Sequence, residues 1–164
     1  MINLRDSRRK QGFLVFLVTA SAFAVYLLAR GCAENEESRV RKVIYSGSLC
    51  VEKRDLSGCA PLVSENYEDK YGNSKLTLLR VVSAIFGEYQ DIKVEIKQLK
   101  IDIEGAQAAA DISFKAYFRK PGDAQLYYDN GKLEVRLDKG SGRWKAVSIE
   151  YSGSSEILFL QTVA

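Results

Sequence analysis

The chain has 164 residues, 46% of them hydrophobic and 27% charged, which suits a single ordinary globular domain. It contains no histidine, and its three cysteines include no C-x-x-C pair. These absences exclude histidine-based catalysis and the common zinc sites, so no metal or other cofactor is expected. Residues 1–30 hold five bases (Arg5, Arg8, Arg9, Lys10 and Arg30) and one acid, a net of +4, while the remainder holds 19 bases and 20 acids, a net of −1. The basic excess lies beside an apolar run and not on a folded face, so no nucleic-acid partner is expected.

Gly12 to Ala29 carry no charge. As a helix these residues would span about 27 Å, close to the hydrocarbon thickness of a bilayer. Arg8-Arg9-Lys10 precede the run and Glu34, Glu36 and Glu37 follow it, which keeps the N-terminus cytoplasmic and exports the rest. The chain then divides into a basic cytoplasmic segment (1–11), a transmembrane signal-anchor (12–30, with 12–29 in the lipid bilayer) and an exported domain (31–164). This arrangement puts a single-pass protein in the inner, cytoplasmic membrane, with its domain periplasmic or extracellular. Two alternatives stay open. Gly31-Cys32-Ala33 offers small residues for signal cleavage, and Leu28-Ala29-Arg30-Gly31-Cys32 resembles a bacterial lipobox that would lipidate Cys32, although Arg30 departs from that pattern.

Three helices are predicted next. Val40, Val43, Ile44, Gly47, Cys50 and Val51 recur at helical spacing within Ala33–Arg54, and Gly47 is read as a point of close backbone approach. Asp55 or Ser57 can cap a short second helix to about Ser64, provided that Pro61 lies in its first turn. A third helix, capped by Asn73, carries Leu78, Leu79, Val82, Ile85 and Phe86 and stops at Gly87.

Beyond Gly87 the period becomes 2. Ile92, Val94 and Ile96 alternate with charged residues, and the phase then slips to Leu99, Ile101 and Ile103, as a bulge at Lys97-Gln98 would produce. Glu104-Gly105 turns into a strand with Ala108, Ala110, Ile112, Phe114, Ala116 and Phe118 on one face. Lys120-Pro121-Gly122-Asp123 is another turn. Residues 125–138 follow; Asn130-Gly131 could make a hairpin, but one long strand bulged there better matches its neighbour. Lys139–Gly142 leads into a last strand, Trp144–Tyr151, and the tail Ile157–Leu160 has no assigned place. The layout is α+β, three helices packed on a curved, bulged antiparallel sheet.

Four stretches, Lys53–Gly58, Leu62–Asp69, Asp91–Ile96 and Gly142–Val147, resemble the nuclear transport factor 2-like superfamily, the cystatin-like α+β cone that includes polyketide-cyclase and ketosteroid-isomerase relatives. Tyr128–Val135 is similar to members found in bacterial envelopes. The likeness spans about residues 36–152. It implies a cone whose sheet commonly serves as a dimer surface, with the face around Tyr117, Tyr127 and Tyr128 as the contact of a homodimer. Enzymatic members place an Asp base among polar partners inside the cone. No carboxylate is assigned to the apolar side here, so no catalytic residue is named and the cone is expected to be plugged by its own side chains. Tyr67, Asp69, Tyr71 and Trp144 are the candidate ligand-binding residues; for Asp69 a loop-ordering role is the alternative. Cys50 and Cys59 are placed to form a disulfide in an oxidising compartment, or to stay as buried thiols. The function expected is a membrane-tethered, non-catalytic binding or interaction module, with an isomerase-like enzyme or carrier of a small apolar ligand as the alternative.

Overall fold

The computed structural model describes residues 36–140 and 142–153. The 12–30 segment, Cys32 and the 157–160 tail lie outside the described residues, and no helix among those described is long and apolar enough to cross a membrane.

Helix α1 covers residues 36–52. Its last turn closes through Arg54, at φ 54 in the left-handed region, with Asp55 N donating to the Cys50 carbonyl at 2.8 Å. The Arg54 guanidinium donates to the Phe86 carbonyl, linking two helix ends. Asp55 caps α2 (Leu56–Cys59), its Oδ1 accepting from Gly58 N at 2.9 Å. A Cβ on Gly58 would sit 2.5 Å from Asp55 Oδ2, so a larger residue there would push the capping carboxylate aside. A 3-10 turn, Ala60–Leu62, follows, with Pro61 in its opening positions, where proline costs no hydrogen bond. The second helical segment is therefore shorter than expected and splits in two.

Helix α3 runs Lys75–Glu88. Its cap is Ser74, whose Oγ accepts from Thr77 N, and not Asn73, whose amide is engaged by Asp69 at 2.9 Å. Gly87 does not stop it: the helix continues to Glu88, and Tyr89 turns extended with its ring edge-on to Phe118 at 4.7 Å. Packing of that ring, not glycine, sets the end.

Four strands, β1 (Gln90–Glu104), β2 (Gln107–Arg119), β3 (Tyr127–Asp138) and β4 (Lys145–Gly153), form an antiparallel meander in sequence order. The bulge expected at Lys97 is present: Ile96 pairs with Phe114 and Gln98 with Ser113, leaving Lys97 extra. The bulge expected at Asn130-Gly131 is not: β2 and β3 pair without a break from Gln107↔Asp138 to Phe118↔Tyr127. Instead Val147 is the extra residue of β4, because Arg136 pairs with Ser148 and Leu137 with Ala146. Gly131 serves another purpose. A Cβ there would lie 2.5 Å from the Tyr151 ring and 2.8 Å from that of Phe114, so glycine admits two aromatic rings over the strand.

The core joins Val40 and Ile44 of α1 to Ala108, Ala110 and Ile112 of β2, Val135 and Leu137 of β3, Trp144 and Ala146. The two alanines leave room for the helix at this end. A second cluster centres on Cys50, Cys59 and Phe86, and a third on Val63, Tyr67 and Leu78. Cys50 and Cys59 are joined as a disulfide, with Cα atoms 5.6 Å apart, tying α1 to α2.

Candidate functional site

Between the helices and the concave side of the sheet lies a cavity of about 370 Å³, within the range of small-molecule sites. The expectation of a cone filled by its own side chains is thus corrected. The hollow has two local causes. Bulges at Lys97 and Val147 bend the strands, and Gly47 leaves a bare stretch on the α1 wall, where an added Cβ would meet nothing within 4 Å. Gly47 therefore marks open space and not the close backbone approach expected.

The walls are almost entirely apolar: Val43 and Val51 of α1, Val82 and Ile85 of α3, and Ile96, Phe114, Phe118 and Leu133 of the sheet. Both disulfide cysteines also line the cavity. One lining residue is charged, Asp129. It is only 7% exposed, and Tyr151 Oη donates to its Oδ2 at 3.2 Å. Asp129 belongs to the inward row of β3 with Gly131, Leu133, Val135 and Leu137, opposite Ala116. Tyr89 closes another part of the wall; burial first, and then its hydrogen bond with Glu88, push its phenol up to about 12.

Of the residues named from the sequence, Tyr67, Asp69, Tyr71 and Trp144 are all absent from the cavity wall. Tyr67 is buried against Val63 and Leu78, and burial, followed by the nearby Asp69 charge, pushes its phenol up to about 12. Asp69 orders the loop ahead of α3. Its Oδ1 accepts from Tyr71 N and Asn73 N at 2.9 Å, and its Oδ2 from Asn73 Nδ2 at 2.9 Å. Burial raises the Asp69 carboxyl, but these hydrogen bonds outweigh it and leave the group below the usual carboxylate range. Tyr71 is 56% exposed under the Lys70 ammonium. Trp144 is a core residue with the Lys139 ammonium over its ring.

Asp129 and Tyr151 are the site residues that the sequence reading missed. The signal was the parity of β3, in which Asp129 shares a face with Leu133, Val135 and Leu137; a bulge placed at Asn130-Gly131 reverses that parity and turns Asp129 outward. The Val147 bulge settles the last strand in the same way. Ala146, Ile149 and Tyr151 all face inward, and Glu150 faces out towards Lys70 at 3.7 Å. On the outer face, Tyr117 pairs across strands with the 64% exposed Tyr128, and Lys115 Nζ lies 5.0 and 4.3 Å from their ring centroids. Tyr127 is not part of that face: it stacks on Phe118 and donates to Asp123 at 2.7 Å. Among the described residues no group of three or more side chains could hold a metal ion.

No protein-family model matches the sequence, and no curated protein matches it significantly. Solved structures do. A nuclear transport factor 2-like superfamily protein from Salmonella enterica superposes with a TM-score of 0.67 at 14% identity, covering 76% of this chain and 95% of that one. A candidate scytalone dehydratase from Novosphingobium aromaticivorans gives 0.68 at 15% identity over 75% and 87% of the two chains. A hexachlorocyclohexane dehydrochlorinase of type 2 gives 0.63 at 10% identity over 76% and 93%. At such identities the likeness is one of fold, and the described residues take the α+β cone of nuclear transport factor 2-like and cystatin-like proteins.

Proposed function

We propose that this chain is a membrane-tethered small-molecule-binding module of a bacterial envelope, holding a compact, largely apolar ligand in its cone outside the cytoplasm. The observation that carries the binding role is the 370 Å³ cavity, apolar on nearly every side and polar at Asp129 and Tyr151. The tether is supported by the uncharged Gly12–Ala29 run behind Arg8-Arg9-Lys10. Binding is tested with the full-length chain in lipid nanodiscs and a neutral, apolar fluorescent dye, with empty nanodiscs as the blank. The wild type is expected to bind saturably and Gly47→Phe, which drives a ring into the hollow, to lose binding; equal binding by both would refute the assignment. For topology, a membrane-impermeant thiol reagent should label Cys32 in intact cells, and labelling only after lysis would contradict export.

A second reading is proton transfer on the bound molecule. It is favoured by one observation, that a carboxylate and a phenol, Asp129 and Tyr151, face the same apolar space as candidate base and donor. The dehydratase and dehydrochlorinase with the same fold support it at the level of fold alone. Exchange of the α-protons of a phenylalkyl ketone in deuterated water, lost in Asp129→Asn, is the expected sign, and no exchange above buffer would dismiss it. The paired Tyr117 and Tyr128 beside Lys115 also support docking of a second copy on the outer sheet face. Sedimentation should then report a dimer that Tyr128→Glu dissociates, and a monomeric wild type would end that idea.

A further inference from the structure

Asp129 is out of keeping with the cavity that it lines. An ionised carboxylate offers about four acceptor sites, and its burial is costly unless donors or a cation meet it. Asp129 is 7% exposed, and its hydrogen bond is the 3.2 Å contact from Tyr151 Oη. Among the described residues no Lys or Arg pairs with it, and every other residue of the wall is uncharged. The carboxylate thus keeps acceptor capacity, and a full negative charge when ionised, facing apolar space.

Its neighbourhood is aromatic. Gly131, the next inward position, lies under the rings of Phe114 and Tyr151, which a Cβ there would meet at 2.8 and 2.5 Å. Ala116 pairs with Asp129 and supplies only a methyl group, and the next inward residue of β2 is Phe118, against which Tyr89 packs edge-on at 4.7 Å. A carboxylate with aromatic rings close by favours an organic cation: the charge pairs with the oxygens, and the rings attract ammonium-bound carbons and hydrogens. The aliphatic remainder of the wall favours a hydrocarbon body.

We propose that the molecule held in the cone is a monocationic amine, its ammonium on Asp129 among the rings of Phe114, Phe118 and Tyr151 and its hydrocarbon part along the aliphatic wall. This rests on the cavity being a binding site. A carboxylic acid of the same shape meets repulsion, and a neutral alcohol gains one hydrogen bond without the charge.

The test is isothermal titration of the full-length chain in nanodiscs at neutral pH with three compounds of matched shape, 4-phenylbutylamine, 4-phenylbutanol and 4-phenylbutyrate. The amine is expected to bind about 10- to 100-fold more tightly than the alcohol, and the acid to bind most weakly. In Asp129→Asn the amine should fall to the affinity of the alcohol, whose own affinity stays within about 3-fold. Equal binding of amine and alcohol by the wild type, or an Asp129→Asn variant that keeps the amine preference, would overturn the assignment while leaving the cavity as a binding site. If none of the three binds, the cavity reading itself fails and takes this one with it. Should Asp129→Asn not fold, the order of the three compounds on the wild type decides.

Discussion

Replacing Gly47 by alanine separates two meanings that glycine can have inside a helix. If another backbone lies against it, a methyl group is destabilising. If it faces a hollow, the methyl costs nothing and the helix gains the propensity difference, about 0.8–1.0 kcal/mol. Gly47 lies within the helix over residues 36–52, has an ordinary backbone conformation, and a Cβ there would meet no atom within 4 Å. The full gain is therefore expected, most of it arising from restriction of the unfolded chain. For a domain of this size it corresponds to a rise in melting temperature of about 3–5 °C. The assay is thermal unfolding of the full-length chain followed by circular dichroism without reductant, so that the Cys50–Cys59 disulfide stays closed. Gly47→Ala should also retain dye binding, because one methyl group leaves most of the cavity free. A lowered melting temperature would show that space near Gly47 is already taken and would refute the reasoning about the cavity wall.

Gly131→Ala should have the opposite sign, because its methyl group would press into the rings of Phe114 and Tyr151; a loss of about 1–3 kcal/mol is expected from the urea midpoint, and an unchanged midpoint would mean that the rings do not close over this strand. The Cys50–Cys59 bridge closes a short loop, with a sequence separation of 9, so Cys50→Ser with Cys59→Ser should cost about 2–3 kcal/mol in denaturant unfolding. The phenol of Tyr67 ionises near 10.0 when unfolded and at about 12 when folded, so the folded state holds the extra proton between those values. Its contribution is full below pH 10 and is lost as pH rises towards 12; Tyr67→Phe should flatten the alkaline fall in stability over this window, and an identical slope in both proteins would contradict the burial assigned to it.

The order of elements was legible in the sequence because hydrophobic period is a dense signal: helical spacing to Phe86, then period 2. The Lys97 bulge was legible for the same reason, since a phase slip between flanking aliphatic residues leaves a mark on both sides. Signals from single residues fared worse. Asn130-Gly131 has the composition of a turn, yet β3 runs straight through it, because glycine there answers to two rings from neighbouring strands. Gly87 likewise sits inside α3, whose end is set by Tyr89 against Phe118. Misplacing one bulge was enough to hide the site, since a one-residue slip exchanges faces and sends Asp129 outward on paper. Ala146 and Ile149 could not be read as sharing a face until Val147 was known to be unpaired. Gly47 was seen as special, but whether a glycine meets matter or emptiness depends on elements distant in sequence.

The unpaired Val147 gives the last strand slack for one lost residue in a way that its composition conceals. A deletion of one codon at this position would leave a regular ladder in which Ala146, Ser148 and Ile149 keep their partners Leu137, Arg136 and Val135, and with them their faces. A residue inserted after Ser148 would instead slip the parity, swinging Ile149 and Tyr151 to water and delivering Glu150, now beside Lys70, to the greasy interior. Loss of that single valine should therefore be far less harmful than gain of a residue, and a library of one-residue deletions along β4 would find its lightest penalty where the strand already carries a surplus.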